Sequence, residues 1–141
     1  MKLDAEDRIA INDLINLHGH YADDGDFDGM DTLFTADVVY DPTGVDMPVL
    51  VGRERLRATA LELGDANPVA HLVTNIVLRP IGPDEVHARS KAIAIIGDGR
   101  AGSATYEDVV VRTAEGWRIS HRRIIARRVP LSGVHRAAPD A

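Results

Sequence analysis

The 141-residue chain contains no cysteine. Disulfides, thiol nucleophiles and thiolate metal sites are therefore excluded. No apolar run approaches the ~20 residues a membrane-spanning helix needs. The start, Met1-Lys2-Leu3-Asp4, opens a polar helix and lacks the apolar stretch of a signal peptide. A cytoplasmic protein with no membrane partner is expected. Positive charge is scarce as well, 16 Lys and Arg against 22 Asp and Glu, for a net charge of −6. That balance argues against nucleic acid as a partner, because phosphate binding needs a basic face. The local run of Arg118, Arg122, Arg123, Arg127 and Arg128 divides between two strand faces and reads as solvated charge. Aromatic residues make up only 4% of the chain, so each Tyr and the single Trp draws notice.

Hydrophobic residues, at 45%, are enough for a globular chain, and the length suits a single domain spanning 1–141. A first helix is expected from about Ala5 to Ala22, capped by Asp4, with Glu6 and Asp7 at the positive end of its dipole. At ~100° per residue, Ile11, Leu14, Ile15, His18, Tyr21 and Ala22 fall on one face. The Asp-Asp-Gly-Asp turn around Gly25 ends it. A second helix, capped by Asp28, is expected to about Phe34, and a third from Arg53 to Leu63. Val38-Val39-Tyr40 reads as a short strand, and residues 42–52 as a loop. Four long strands follow, at about 69–79, 85–96, 101–113 and 117–129, joined by short turns. Such spacing implies an antiparallel meander. The tail from about Pro130 is rich in Gly, Pro and Ala and is expected to be loose. Helices first and strands last give an α+β class. The curved antiparallel sheet must wrap the three helices as a cone-shaped barrel, and its open end is where a small ligand would bind.

Two segments carry most of the chemistry, Tyr21 to Asp28 at the end of the first helix and His71 to Asn75 at the start of the first long strand. They offer a carboxylate, Asp23, and an imidazole, His71, as a general acid–base pair. Imidazole, with an unperturbed pKa near ~6.5, accepts a substrate proton near neutrality. Asp23 falls away from the apolar face if the helix reaches it, so it is expected to enter a pocket where the helix unwinds. Strict alternation places His71, Val73, Asn75 and Val77 on one face of their strand, and Trp117, Ile119, His121 and Arg123 on one face of the last. Tyr40, Tyr106, Trp117 and His121 are candidates to line the cavity. His121 and Arg123, as polar groups on a buried face, require partners or a ligand. His18 is either satisfied in the core or a pocket residue. His18 and His20 cannot share a helix face, so no metal site is expected. A water-activating Asp-Arg-Asp set would use Arg123 with Asp108 or Asp23. Gly97 to Gly102 reads as a turn rather than a phosphate loop, because no helix follows.

The motifs Asp23-x-Gly25-Asp26-Phe27-Asp28, Leu33-Phe34-Thr35-x-Asp37, Gly52, His71-x-x-Thr74-Asn75, Tyr106-x-Asp108 and Gly116-Trp117-Arg118-Ile119 together resemble the SnoaL-like family of the nuclear transport factor 2-like superfamily. The resemblance runs from about Asp4 to Arg128. That superfamily includes scytalone dehydratase, bile-acid dehydratase, ketosteroid isomerase, limonene epoxide hydrolase and polyketide cyclases. The resemblance implies that Asp23 and His71 stand where the dehydratases carry their Asp–His pair. The chain departs from the pattern at His18, where bile-acid dehydratase-like relatives have Tyr. It departs again at Ala92 to Ile96, where scytalone dehydratase has a second catalytic His.

The expected function is a cofactor-independent dehydratase or isomerase on a small hydrophobic carbonyl compound of polyketide or steroid type. His71 and Asp23 would be catalytic, with His18, Tyr21, Tyr40, Asn75, Tyr106, Trp117, His121 and Arg123 at the substrate. Two alternatives stand beside it. One is an epoxide hydrolase or aldol-type cyclase, and the other a non-catalytic small-molecule-binding or dimerisation module. The resemblance also implies a homodimer through the outer sheet face, where alternation puts Ile93, Ile95, Val109 and Val111.

Overall fold

The computed structural model describes residues 2–136. Helix α1 spans Ala5–Asp24, with the Asp4 side chain accepting the Asp7 amide at its start and Gly25, at φ 66°, closing its end. Its inward stripe is Ile11, Leu14, Ile15, His18 and Gly19. Helix α2 is shorter and earlier than expected, Phe27–Asp31, because Asp26 rather than Asp28 caps it by accepting the Gly29 amide at 2.8 Å. Leu33 and Phe34 then leave the helix for the sheet, and the Leu33 carbonyl accepts the Ile119 amide. Strand β1 is Phe34–Asp41. The expected loop after it contains a 3-10 turn at Thr43–Val45 and a two-residue strand β2 at Leu50–Val51. Helix α3 spans Arg53–Leu63. The four long strands are β3 Ala70–Gly82, β4 Glu85–Ile95, β5 Ala101–Thr113 and β6 Gly116–Ala126.

These make an α+β fold with one curved sheet in the order β2-β1-β6-β5-β4-β3. The four long strands form the expected antiparallel meander. The sheet is nevertheless mixed, since β1 runs parallel to β6. It is also open rather than a closed barrel, with β2 and β3 at its edges. Helix α1 bridges the concavity by contacting both β3 and β6. The core between them holds Ile11, Ile15, Leu33, Phe34, Val38, Val86, Val110 and Ile119. No helix among the described residues is long and apolar enough to cross a membrane. Of the tail expected to be loose, Pro130–Arg136 forms a 3-10 segment with left-handed backbone at Leu131, Ser132 and Gly133. The remaining residues of that tail, 137–141, lie outside the described ones.

Two β-bulges decide which side chains face inward. In β3, Thr74 pairs with Lys91 and Val77 with Arg89, so Asn75 and Ile76 together oppose Ser90. Asn75 takes up the extra residue in the left-handed region, at φ 55°. In β6, Ile119 pairs with Val110 and His121 with Val109, leaving Ser120 as the extra residue. A one-residue slip turns every later side chain to the other face. The inward set of β3 is thus His71, Val73, Ile76 and Leu78, whereas Val77 is 67% exposed. The inward set of β6 is Trp117, Ile119, Arg122 and Ile124, all buried.

Candidate active site

Asp23 reaches His71 without any unwinding of α1, which continues past it to Asp24. Four residues on from Gly19, it shares the stripe that packs on β3. Gly19 makes that approach close, because a Cβ there would lie 2.5 Å from the His71 carbonyl oxygen. One Asp23 carboxylate oxygen meets His71 Nδ1 at 2.7 Å, and the other accepts the His71 main-chain amide at 3.1 Å. A carboxylate only accepts, so Nδ1 carries a proton, and in the neutral ring the lone pair is then on Nε2. The two side chains are 18% and 26% exposed, partly dry yet accessible from a cavity of about 1000 Å³ that both border.

His18 stands edge-on to His71, ring centroids 5.7 Å apart, and borders the same cavity. Burial, the nearby Arg122 charge and His71 hold its pKa well below the ordinary imidazole value, so His18 is neutral. Its Nδ1 is enclosed and has no partner among the described residues. Tyr40 and Tyr106 also border the cavity. Burial pushes both phenols above their ordinary value, so both keep their hydroxyl proton. Behind them lies a fully buried ion pair. Arg122 Nε and Nη2 donate to the two oxygens of Asp108 at 2.7 and 2.9 Å, and the guanidinium lies 4.3 Å from the Tyr106 ring centre. Burial alone would lower the Arg122 pKa, but the Asp108 carboxylate outweighs it and keeps the group charged.

Other candidates from the sequence lie elsewhere. Trp117 is core at the closed end, its Nε1 donating to Asp7 at 2.9 Å, and does not border the cavity. Tyr21 packs against α2 beside Gly29 rather than into the cavity. Asn75 occupies its bulge on the exposed side and accepts a bond from the Thr74 hydroxyl. The Ser120 bulge turns His121 and Arg123 outward, where Arg123 faces Glu107 at 3.9 Å. Arg122 takes the inward place instead, and the Asp-Arg-Asp set is not assembled, since among the described residues Asp108 is the one carboxylate that the Arg122 guanidinium bonds. Strict alternation hid that pair. Gly19, by contrast, carried a signal, because a glycine inside an amphipathic helix costs about 1 kcal/mol and calls for a packing reason. Among the described residues, no three His, Asp or Glu side chains converge as a metal site requires. His18 points inward, while His20 is exposed.

The SnoaL-like domain family matches residues 4–123, and the chain belongs to it. No curated protein matches the chain significantly. Among solved structures, it is similar to a Novosphingobium aromaticivorans protein provisionally assigned as an aromatic ring hydroxylase. That match has 27% identity and a TM-score of 0.77, covering 91% of this chain and 94% of the other. It is similar at 27% identity and TM-score 0.71 to the Kfla4162 protein of Kribbella flavida, over 95% and 100% of the two chains. A provisionally assigned scytalone dehydratase of Novosphingobium aromaticivorans shares the fold, at 21% identity and TM-score 0.71 over 86% and 84%.

Proposed function

We propose that this SnoaL-like protein is a cofactor-independent dehydratase or isomerase acting on a hydrophobic carbonyl compound, polyketide- or steroid-like, by His71–Asp23 acid–base catalysis. The observation that carries the reading is the 2.7 Å contact between Asp23 and His71 Nδ1 at the edge of a large, mostly apolar cavity. His71 Nε2 takes a proton from the carbon beside the carbonyl, and the C–H electron pair moves toward the carbonyl oxygen. Asp23 holds the Nδ1 proton and stabilises the imidazolium. A neutral donor among Tyr40, Tyr106 and His18 receives the developing oxyanion. The proton then returns at another carbon, or leaves with a β-hydroxyl as water. Such acid–base assistance is worth about 10²–10⁴-fold in rate.

A binding-only module has no need of a 2.7 Å His–carboxylate contact at the wall of an unfilled cavity. The epoxide-hydrolase alternative lacks its Asp-Arg-Asp set. The decisive experiment incubates the protein in D₂O with polyketide, steroid and terpenoid ketones and follows deuterium uptake and water loss by NMR and mass spectrometry. Exchange beside the carbonyl that disappears in His71→Ala is expected. Equal exchange in His71→Ala overturns the reading.

The reading includes a cytoplasmic homodimer through the outer sheet face, where Leu72, Val77 and Ile93 are 48%, 67% and 40% exposed. Light scattering at micromolar concentration should give twice the chain mass, and a monomer mass refutes the pairing.

A further inference from the structure

Tyr40, Arg122, Asp108 and Ala88 stand in one cross-strand row over β1, β6, β5 and β4. Arg122 thus has a cavity phenol on one side and its ion-pair carboxylate on the other. Tyr106 lies two residues before Asp108 on β5 and shares its face. The guanidinium is 4.3 Å from the centre of that ring. Asp108 takes up Nε and Nη2, whereas Nη1 is enclosed with no partner among the described residues. The positive charge is therefore lopsided, balanced by a carboxylate along one edge and by none at the other.

Stability does not account for this arrangement. The attraction within a buried pair does little more than offset the lost hydration, and apolar residues of similar volume often hold a fold as well. The charge does reach every candidate donor of the cavity. Burial is the main effect raising the Tyr40 phenol, and Arg122 opposes it more strongly than Asp108 adds to it. Burial and then Tyr40 raise the Tyr106 phenol, and there too Arg122 outweighs Asp108. At His18, burial and then Arg122 keep the ring neutral. Arg122 itself is fully buried, so it acts through these neighbours and not on a ligand directly.

We propose that Arg122, held by Asp108, is a positioning residue for the acid–base reaction. From behind the cavity wall it seats Tyr106 and Tyr40 and lends a fixed positive field to the hydroxyl that receives the substrate oxyanion. The proposal rests on the reading of this cavity as the catalytic site, and it adds the source of the field in which the donors work. Negative charge grows on the substrate oxygen only as the transition state is approached. A fixed charge aimed there speeds the reaction more than it tightens binding of the ketone. A guanidinium stacked on Tyr106 also restrains that ring.

The test separates the charge from the fold. Arg122→Met with Asp108→Leu leaves no charge unpaired, and Arg122→Lys keeps the charge while losing the two-pronged bond. Circular dichroism establishes which variants are folded. The first readout needs no turnover. 4-Nitrophenol, whose absorbance distinguishes phenol from phenolate, stands in for the enol and enolate. It is titrated onto proteins that also carry His71→Ala, so that His71 takes none of its proton. The bound probe should be about tenfold or more less ionised in the double substitution than with Arg122 and Asp108 in place, a change of one pKa unit. Arg122→Lys should stay within about threefold of the unsubstituted pair. The second readout is deuterium exchange on the ketone that the natural sequence turns over. The double substitution should slow it about 10²-fold or more, with the dissociation constant of the ketone within threefold.

Probe ionisation within threefold in the folded double substitution overturns the proposal, as does exchange there at the natural rate. So does failure of the His71→Ala protein to bind the probe. If the double substitution unfolds, Arg122→Lys decides, and a tenfold loss of probe ionisation with the charge still present overturns the proposal. Absence of exchange on every ketone by the natural sequence, with the tenfold difference in probe ionisation intact, refutes the acid–base reading and leaves the Arg122 field standing. The two failures are thus read separately.

Discussion

Asp23 grips His71 at two points, the ring Nδ1 at 2.7 Å and the main-chain amide at 3.1 Å. One carboxylate thereby fixes the imidazole's tautomer, its ring orientation and the local path of β3. His71→Ala should abolish turnover and leave the melting temperature nearly unchanged, since the ring stands at a cavity wall and not in the packed core. Asp23→Asn should also cost about 10²–10⁴-fold in rate. Asparagine offers one acceptor where two donors wait, so either the amide or the ring proton loses its partner. Steady-state kinetics on the ketone found active, with thermal melts alongside, checks both.

Gly19 is the contact that lets α1 reach His71. In Gly19→Ala the new methyl would stand 2.5 Å from the His71 carbonyl oxygen, a distance real Cβ atoms do not keep. The obstacle is backbone and cannot rotate away. The variant should lose about 1–3 kcal/mol of stability and much of its activity, although alanine favours helix. Denaturant melts and kinetics together check it, and a more stable, fully active Gly19→Ala contradicts the packing account.

Arg122 and Asp108 are both fully buried and bonded to each other. Removing one partner strands the other charge, so Asp108→Asn or Arg122→Met should each cost about 3–5 kcal/mol. Replacing both, as Arg122→Met with Asp108→Leu, should recover most of that loss, because no charge is left unpaired. Urea unfolding of the two single variants and the double completes the cycle.

Stability should fall in two steps as the pH drops. Burial, Arg122 and His71 depress the folded pKa of His18, so only the unfolded chain protonates that ring just below pH ~6.5. Stability contributed by neutral His18 is complete above that pH and drains away as pH falls toward the folded value, with a slope of at most about 1.4 kcal/mol per pH unit. Asp7 acts lower on the scale. Bonds from Arg112 and then Trp117 depress its carboxyl, so its contribution is present above the ordinary Asp range and is lost as pH falls through the folded value. Unfolding free energies between pH 8 and 4 should fall less steeply for His18→Gln than for the natural sequence.

The sequence by itself determined the order of the three helices and the long strands, the α3 boundaries, the caps at Asp4 and Gly25, and the amphipathic face of α1. These depend on neighbours within a turn or on residue periodicity, which the chain carries locally. The resemblance to the SnoaL-like family added the pairing of Asp23 with His71. Tertiary structure alone decided which strand faces look inward. The sequence marked one bulge weakly, through an asparagine suited to the left-handed conformation. It marked the other not at all, because Ser120 is an ordinary strand residue and becomes the extra one only through its pairing with β5. A slip of one residue there moved Arg122 into the molecule and His121 and Arg123 out of it. It also put Asp108 opposite its ion-pair partner. The parallel seat of β1 beside β6 was likewise set by contacts between segments more than eighty residues apart, Phe34 against Ile119 and Tyr40 against Arg122. Register between distant strands is chosen by which pairing buries the most apolar surface and leaves the fewest polar groups unpaired. That balance exists only once the whole sheet has curved around α1.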